Sequence, residues 1–192
     1  MKKIIMALQQ PFKLFQLQIT HLFFSLFLLT GMLSYTQASA SEALPKIMVL
    51  DFQLNDMTGL PNAPEELERI RYLTTTYKQK LTENNLQLVP VNEKLLAVIK
   101  HQSATYLFDN IETAAELAAD SGADYLLINV ALKPTYLFVY PRLLLVDIKT
   151  KKVVLAKAAQ LESSWSDQST TARTAEKLAE MVSGFFSNQL SD

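Results

Sequence analysis

An aspartate at the end of an apolar run can hold a ligand against an α/β sheet, and the run KIMVLDF over residues 46–52 brings Asp51 to that position. A phosphate site there would continue into a glycine-rich turn and a helix whose free N–H groups face the anion. The chain instead continues QLNDMTGLPNAP, with one glycine and two prolines, which is neither a P-loop nor a dinucleotide fingerprint. A cation between Asp51 and Asp56 would use the carboxylate oxygens that hard cations take. No calcium-loop spacing accompanies them, and Asp and Asn are ordinary loop-opening residues. Asp51 therefore reads as the close of a strand, and no metal ligand is assigned.

His101, Ser103 and Asp109 are the residue types of a nucleophilic triad. All three fall in one linker between helices, without a G-x-S-x-G elbow or an indicated oxyanion hole, so His101 reads as a loop histidine. Asp124 and Asp147 border strands and have the residue types of a glycosidase-like pair. Both are more simply turn residues, Asp124 after Gly122-Ala123 and Asp147 before a lysine-rich hairpin. No catalytic residue and no cofactor site is assigned. The remaining candidates are aromatic: Tyr136, Phe138 and Tyr140 alternate with Leu137 and Val139 along one strand, and Trp165 follows in ESSWSDQS. Tyr and Trp are frequent in contact surfaces, so these four form the candidate partner surface, with core packing as the alternative.

The elements that must position these residues begin after a leader. Residues 1–40 contain Lys2, Lys3 and Lys13 and no acid, then the apolar stretch LFFSLFLLTGML (22–33), then Ala38-Ser39-Ala40. That order is a secretory signal cleaved after Ala40, since the apolar core is well short of the roughly 20 residues that span a bilayer. An uncleaved inner-membrane anchor is the alternative. Cysteine is absent, which excludes disulfides, thiolate chemistry and the lipidated Cys of a bacterial lipoprotein. Three of the 18 basic residues lie in the leader, leaving 15 against 19 acids. The mature chain is mildly acidic, and its short basic cluster at Lys149, Lys151 and Lys152 is no nucleic-acid footprint. Residues 41–192 suit one domain with a real core.

Ile47 to Leu54 has the length and apolar content of a buried strand, and Gln53 to Pro64 reads as a loop. Pro64 opens a helix with Glu65 and Glu66 in its first turn, and Leu67, Ile70, Thr74, Tyr77 and Leu81 form its apolar face. LQLVPV (86–91) is an edge strand because of Pro90, and Asn92 caps a short helix. Asp109 with Glu112 resembles a capping box for the next helix, which Gly122 ends. Three antiparallel strands follow over 123–133, 135–148 and 153–163, joined at Lys133-Pro134 and at 149–152, with a bulge expected at Pro141. A last helix starts at Ser166 or Asp167 and carries the stripe Ala172, Ala175, Leu178, Ala179, Val182 and Phe186. The order β-α-β-α-α-β-β-β-α implies an α/β (α+β) two-layer sandwich, a five-stranded mixed sheet covered by helices.

The leader, the strand VLDF (49–52), the strand entry GADYL (122–126) and the hairpin LVDIKTKKVV (145–154) together resemble small exported domains related to the amino-terminal domain of TolB. Similar domains occur in the curli secretion protein CsgG and in lipoprotein activators of peptidoglycan synthases. A nearer resemblance is to an uncharacterised bacterial exported family with a Ser-Trp element before its last helix, as at Ser164-Trp165. The hairpin departs from relatives in having Lys151 where Gly is common. The resemblance implies a periplasmic accessory protein without catalytic residues that binds another envelope protein. Two other readings remain: a small-ligand carrier with an apolar cavity behind Tyr136, Phe138 and Tyr140, and a hydrolase built on Asp51, Asp56 and Asp124. Amino-terminal sequencing of the exported chain should read Ser41-Glu42-Ala43, whereas an intact leader in the inner membrane would mean an uncleaved anchor.

Overall fold

The computed structural model describes residues 44–61, 63–161 and 167–189. Ile47, Met48 and Val49 are buried on both sides and form strand β1 (Lys46–Val49). After Leu50, Asp51 and Phe52 the chain returns to the sheet as β2 (Gln53–Asp56). Both segments run parallel to one neighbour, β4 (Tyr125–Thr135). Val49 pairs with Leu127 and Gln53 with Val130, so the first strand spends one residue more than β4 over the same distance. That extra residue is a β-bulge.

The bulge is held by side chains. Asn129 donates from Nδ2 to the Leu50 carbonyl at 2.7 Å, and the Phe52 N–H donates to Thr74 Oγ1 at 3.1 Å. Asp51 projects into solvent from the bulge and pairs with Lys78 at 2.5 Å. It therefore does not close the strand, which resumes two residues later, and the loop expected over 53–64 begins only after Asp56. The polar sequence QLND hides this strand because all four residues are half-buried and lack an apolar alternation.

Helix α1 (Pro64–Glu83) has Pro64 in its first turn and ends before Asn85, which takes φ 63°. Its buried face is Glu66, Arg69, Ile70, Leu73, Thr74, Tyr77 and Leu81, and Leu67 is exposed. Ile70, Thr74, Tyr77 and Leu81 thus lie where expected and Leu67 does not, while two charged residues lie inside the stripe. The edge strand β3 (Gln87–Val89) pairs with β1 and stops before Pro90. Asn92 caps α2 (Glu93–His101) by accepting the Leu95 N–H at 3.0 Å. Asp109 ends the short helix α3 (Tyr106–Asp109), and Asn110 precedes α4 (Ile111–Ala118) without a side-chain cap, so the Asp109–Glu112 capping box does not form. Gly122 takes φ 76°, as a helix-ending glycine should.

β4, β5 (Phe138–Asp147) and β6 (Lys152–Ala158) form an antiparallel meander. The first hairpin turns at Tyr136-Leu137, because Lys133 and Pro134 remain in β4. Register shifts lie between Leu132 and Thr135 and between Leu145 and Val146, and not at Pro141. Pro141 sits in regular register opposite Ala131, and its carbonyl accepts the Ala159 N–H at 3.0 Å. In the second hairpin Lys151 takes φ 56°, a left-handed conformation that accounts for glycine suiting this position. Asp167 accepts the Thr170 N–H at 3.0 Å and starts α5 (Gln168–Gln189).

The sheet order is β3-β1-β4-β5-β6, with β2 continuing the column of β1. One face packs against α1 and α5 through Ile47, Val49, Leu127, Leu143, Leu178 and Val182, which gives the two-layer sandwich. The short helices α2 to α4 pack on Met48, Leu50, Leu126 and Ile128 of the other face. Among the described residues no helix is long and apolar enough to cross a membrane. Asn129→Ala leaves the buried Leu50 carbonyl without its donor and should lower the unfolding free energy by about 1–3 kcal/mol in urea titrations.

Candidate functional site

Along β4, Leu127, Asn129, Ala131 and Lys133 alternate onto the face that α1 covers, so the strand drives a lysine into the core. The Lys133 side chain is 1% exposed, against 7% for Asp56 and 3% for Glu66, so all three charges are removed from water. Its ammonium donates to Asp56 Oδ2 at 2.8 Å and to Glu66 Oε1 at 2.6 Å. Asp56 Oδ1 also accepts from the Thr58 N–H at 2.8 Å and the Thr58 hydroxyl at 2.6 Å. Burial pushes the Asp56 carboxyl up, but the hydrogen bonds from Lys133 and Thr58 outweigh it and hold the group at about 2. Burial likewise pulls Lys133 down, and its two carboxylate partners more than offset that, so the ammonium stays above its ordinary value. The cluster ties the end of β2, the end of β4 and the first turn of α1 to one another.

Above this cluster the surface is apolar. The Met57 N–H donates to the Lys133 carbonyl at 3.0 Å, and the Tyr136 ring lies 5.9 Å from the Lys133 ammonium. The loop after β2 and the β4–β5 turn are thereby placed at one end of the sheet. Met57, Leu60, Tyr136, Leu137 and Phe138 are exposed there, from 39% for Phe138 to 72% for Leu137, which is high for large apolar side chains. Tyr136 and Leu137 form the turn itself, while Val139 is buried and Tyr140 is half-buried with its ring 6.4 Å from Phe138. Three of the four expected surface residues thus lie together, graded from exposed to half-buried. Trp165 lies outside the described residues.

The other candidate groups serve the backbone. Asp124 accepts the Lys46 N–H at 2.8 Å and joins the start of β4 to the start of β1. Asp147 accepts the Thr150 N–H at 2.7 Å within the second hairpin. His101, Ser103 and Asp109 are all exposed. Asp56 pairs with Lys133 at the end of β4 and Asp124 precedes its start, which separates the two residues by roughly 30 Å at the rise of a strand. A hydrolytic centre made of Asp51, Asp56 and Asp124 does not assemble. An open groove of about 480 Å³ runs beside the starts of α1 and α5, lined by Glu65, Glu68, Arg69, Arg71, Tyr72 and Gln168. None of Tyr136, Phe138 and Tyr140 lines it, whereas the carrier reading needs a cavity behind those three. A second pocket beside Asp51 is of about 10 Å³, too small for anything larger than a water.

Sequence reasoning missed Lys133 and Glu66. The signal was present: Lys133 stands at an alternate position continuing Leu127 and Ala131, and Glu66 precedes Ile70, Leu73 and Tyr77 at helical spacing. A basic and an acidic residue, each on an apolar stripe, point to one another.

A family model described as "Protein of unknown function (DUF2380)" matches residues 45–180. No curated protein matches the chain in sequence. Among solved structures the chain is similar to a PelC dodecamer from Paraburkholderia phytofirmans, at 13% identity and a TM-score of 0.47, covering 74% of this chain and 87% of that one. It is similar to the LpoB C-terminal domain from Salmonella enterica, at 19% identity and 0.43, covering 70% and 92%. It is also similar to TolB from Acinetobacter baumannii, at 15% identity and 0.39, covering 77% of this chain and 28% of that one. At these identities no residue role is carried across.

Lys133→Met leaves Asp56 and Glu66 buried without a counter-charge and should lower the unfolding free energy by about 3–5 kcal/mol. Asp56 titrates at about 2 in the folded chain against an ordinary value of 3.8, so its contribution is present above pH 3.8 and is lost as the pH falls towards 2. Asp56→Asn should therefore be less stable than the parent at neutral pH. The gap between the two should narrow between pH 4 and 2 in urea titrations at each pH.

Proposed function

The chain belongs to the DUF2380 family of proteins of unknown function, and from that premise we propose that it is an exported, periplasmic binding domain without catalytic activity that docks another envelope protein. The docking surface is the apolar end of the sheet: Tyr136, Leu137 and Phe138, flanked by Met57 and Leu60 and backed by Tyr140. The observation that carries the reading is the exposure of five large apolar side chains at one end of the sheet, directly over a buried ion cluster. Exposed apolar patches of this kind mark contact sites, and a protruding turn suits a concave partner. The leader over residues 1–40 supports export. The separate engagement of Asp51, Asp56 and Asp124 speaks for binding over carboxylate catalysis.

A photo-cross-linking amino acid placed at Leu137 tests this in cells, with the same group at the exposed Glu180 of α5 as control. A discrete protein adduct is expected from position 137 alone, and Phe138→Asp should reduce it about tenfold. Adducts to lipid only would assign the surface to a membrane, and equal adducts from both positions would remove the surface from the reading.

A further inference from the structure

β6 lies at the end of the sheet order, and six of its seven residues are exposed, so its outer side is open to solvent. Ala159 donates its N–H to the Pro141 carbonyl at 3.0 Å, and Leu161 to that of Val139 at 2.8 Å, so odd-numbered positions there face β5. Antiparallel pairing alternates residue by residue, which turns the N–H and C=O groups of Ala156 and Ala158 outward. Among the described residues no strand pairs with them. The opposite edge differs, because β3 has three residues and is followed by Pro90. On β6 the outward positions carry alanines, which allow close approach, and Val153 and Val154 beside them are exposed.

The charged residues of this strand and of the turn before it have one sign. Residues 149–158 (KTKKVVLAKA) hold four lysines and no acid, within a chain of formal net charge −1. Lys151 pairs with Glu116 and Lys152 stands opposite Asp147, while Lys149 and Lys157 are exposed on either side of the valines. Such lysines oppose edge-to-edge pairing with a second copy, whose edge is equally basic. They favour a strand that brings carboxylates. We infer that β6 is a strand-addition site for an extended acidic segment of a partner protein. That segment pairs its backbone with Ala156 and Ala158 and sets its carboxylates beside Lys149, Lys152 and Lys157. The site is separate from the apolar end of the sheet and stands or falls independently of it.

The test uses the purified chain and three synthetic peptides: the acidic EVTVEVTVE, the basic KVTVKVTVK, and EVTPEPTVE, whose prolines block backbone pairing. The acidic peptide alone is expected to slow amide exchange at Ala156 and Ala158, by about fivefold or more. Ala158→Pro removes an outward N–H that the ladder does not use, so the chain should keep its fold and bind the acidic peptide about tenfold more weakly. Unchanged exchange at both alanines, equal response to the basic peptide, or undiminished binding by a folded Ala158→Pro chain would overturn the site. Should that variant not fold, the exchange measurement on the parent chain decides alone.

Discussion

A single ammonium group, that of Lys133, is placed in the core with two carboxylates from different elements closing on it. Removing three charges from water is costly, and their mutual attraction repays it only when the geometry is good and the remaining donors and acceptors are met. Asp56 meets that condition by taking Thr58 onto its second oxygen. Glu66 meets it only in part: it stands in the first turn of α1, where the free N–H groups of the helix favour negative charge. Its second oxygen is buried without a hydrogen-bond partner, which adds to the cost of the cluster. A buried ion cluster of this kind is weak evidence for stability and better evidence for a required register. Slipping β2 by one residue against β4 would take Asp56 away from Lys133 and leave the buried lysine with Glu66 alone.

That register is needed because the first strand is broken. The bulge at Leu50 to Phe52 inserts a residue, and a bulged strand can pair its second half in more than one way. Asn129 and Thr74 satisfy the backbone of the bulge itself, and the Lys133 cluster fixes the pairing of β2 beyond it. The two devices act in sequence along β4, four residues apart and on one face. Their combined effect is to hold the loop from Met57 and the turn at Tyr136-Leu137 in place although both are exposed. A surface made of apolar side chains on two loops has a defined shape only when the loops are anchored, and here the anchor is directly beneath.

Much of the fold was legible from periodicity and punctuation. Pro64, Asn92, Gly122 and Asp167 each mark a helix end for a local reason, and the meander followed from short connections between apolar runs. The features that escaped were decided by distant partners. QLND carries no strand signal because its pairing comes from β4, far along the chain. The turn falls at Tyr136-Leu137 and not at Lys133-Pro134 because Lys133 is drawn inward by Asp56 and Glu66, which holds β4 extended past the proline. The one departure in the α1 stripe has the same origin: with Glu66 committed to Lys133 and Arg69 donating to Thr171 of α5, Leu67 is turned to solvent. The aromatic residues were found by type and spacing, but their gradient from exposed Tyr136 to half-buried Tyr140 depended on where the turn fell.

The acids at the strand and helix ends share one use. Asp124 joins two strand starts, Asp147 shapes a hairpin, Asp167 begins a helix, Asp51 meets a lysine at the bulge and Asp56 neutralises another. Catalytic carboxylates need their charge or proton directed at a substrate, whereas each of these is engaged by a backbone N–H donor or a lysine. Recognition asks something different of a fold, namely stiff edges and surfaces whose cost of exposure is met elsewhere. The structure places a few buried polar side chains, Glu66, Asn129 and Lys133 among them, at internal joints and leaves five large apolar side chains exposed at one end of the sheet.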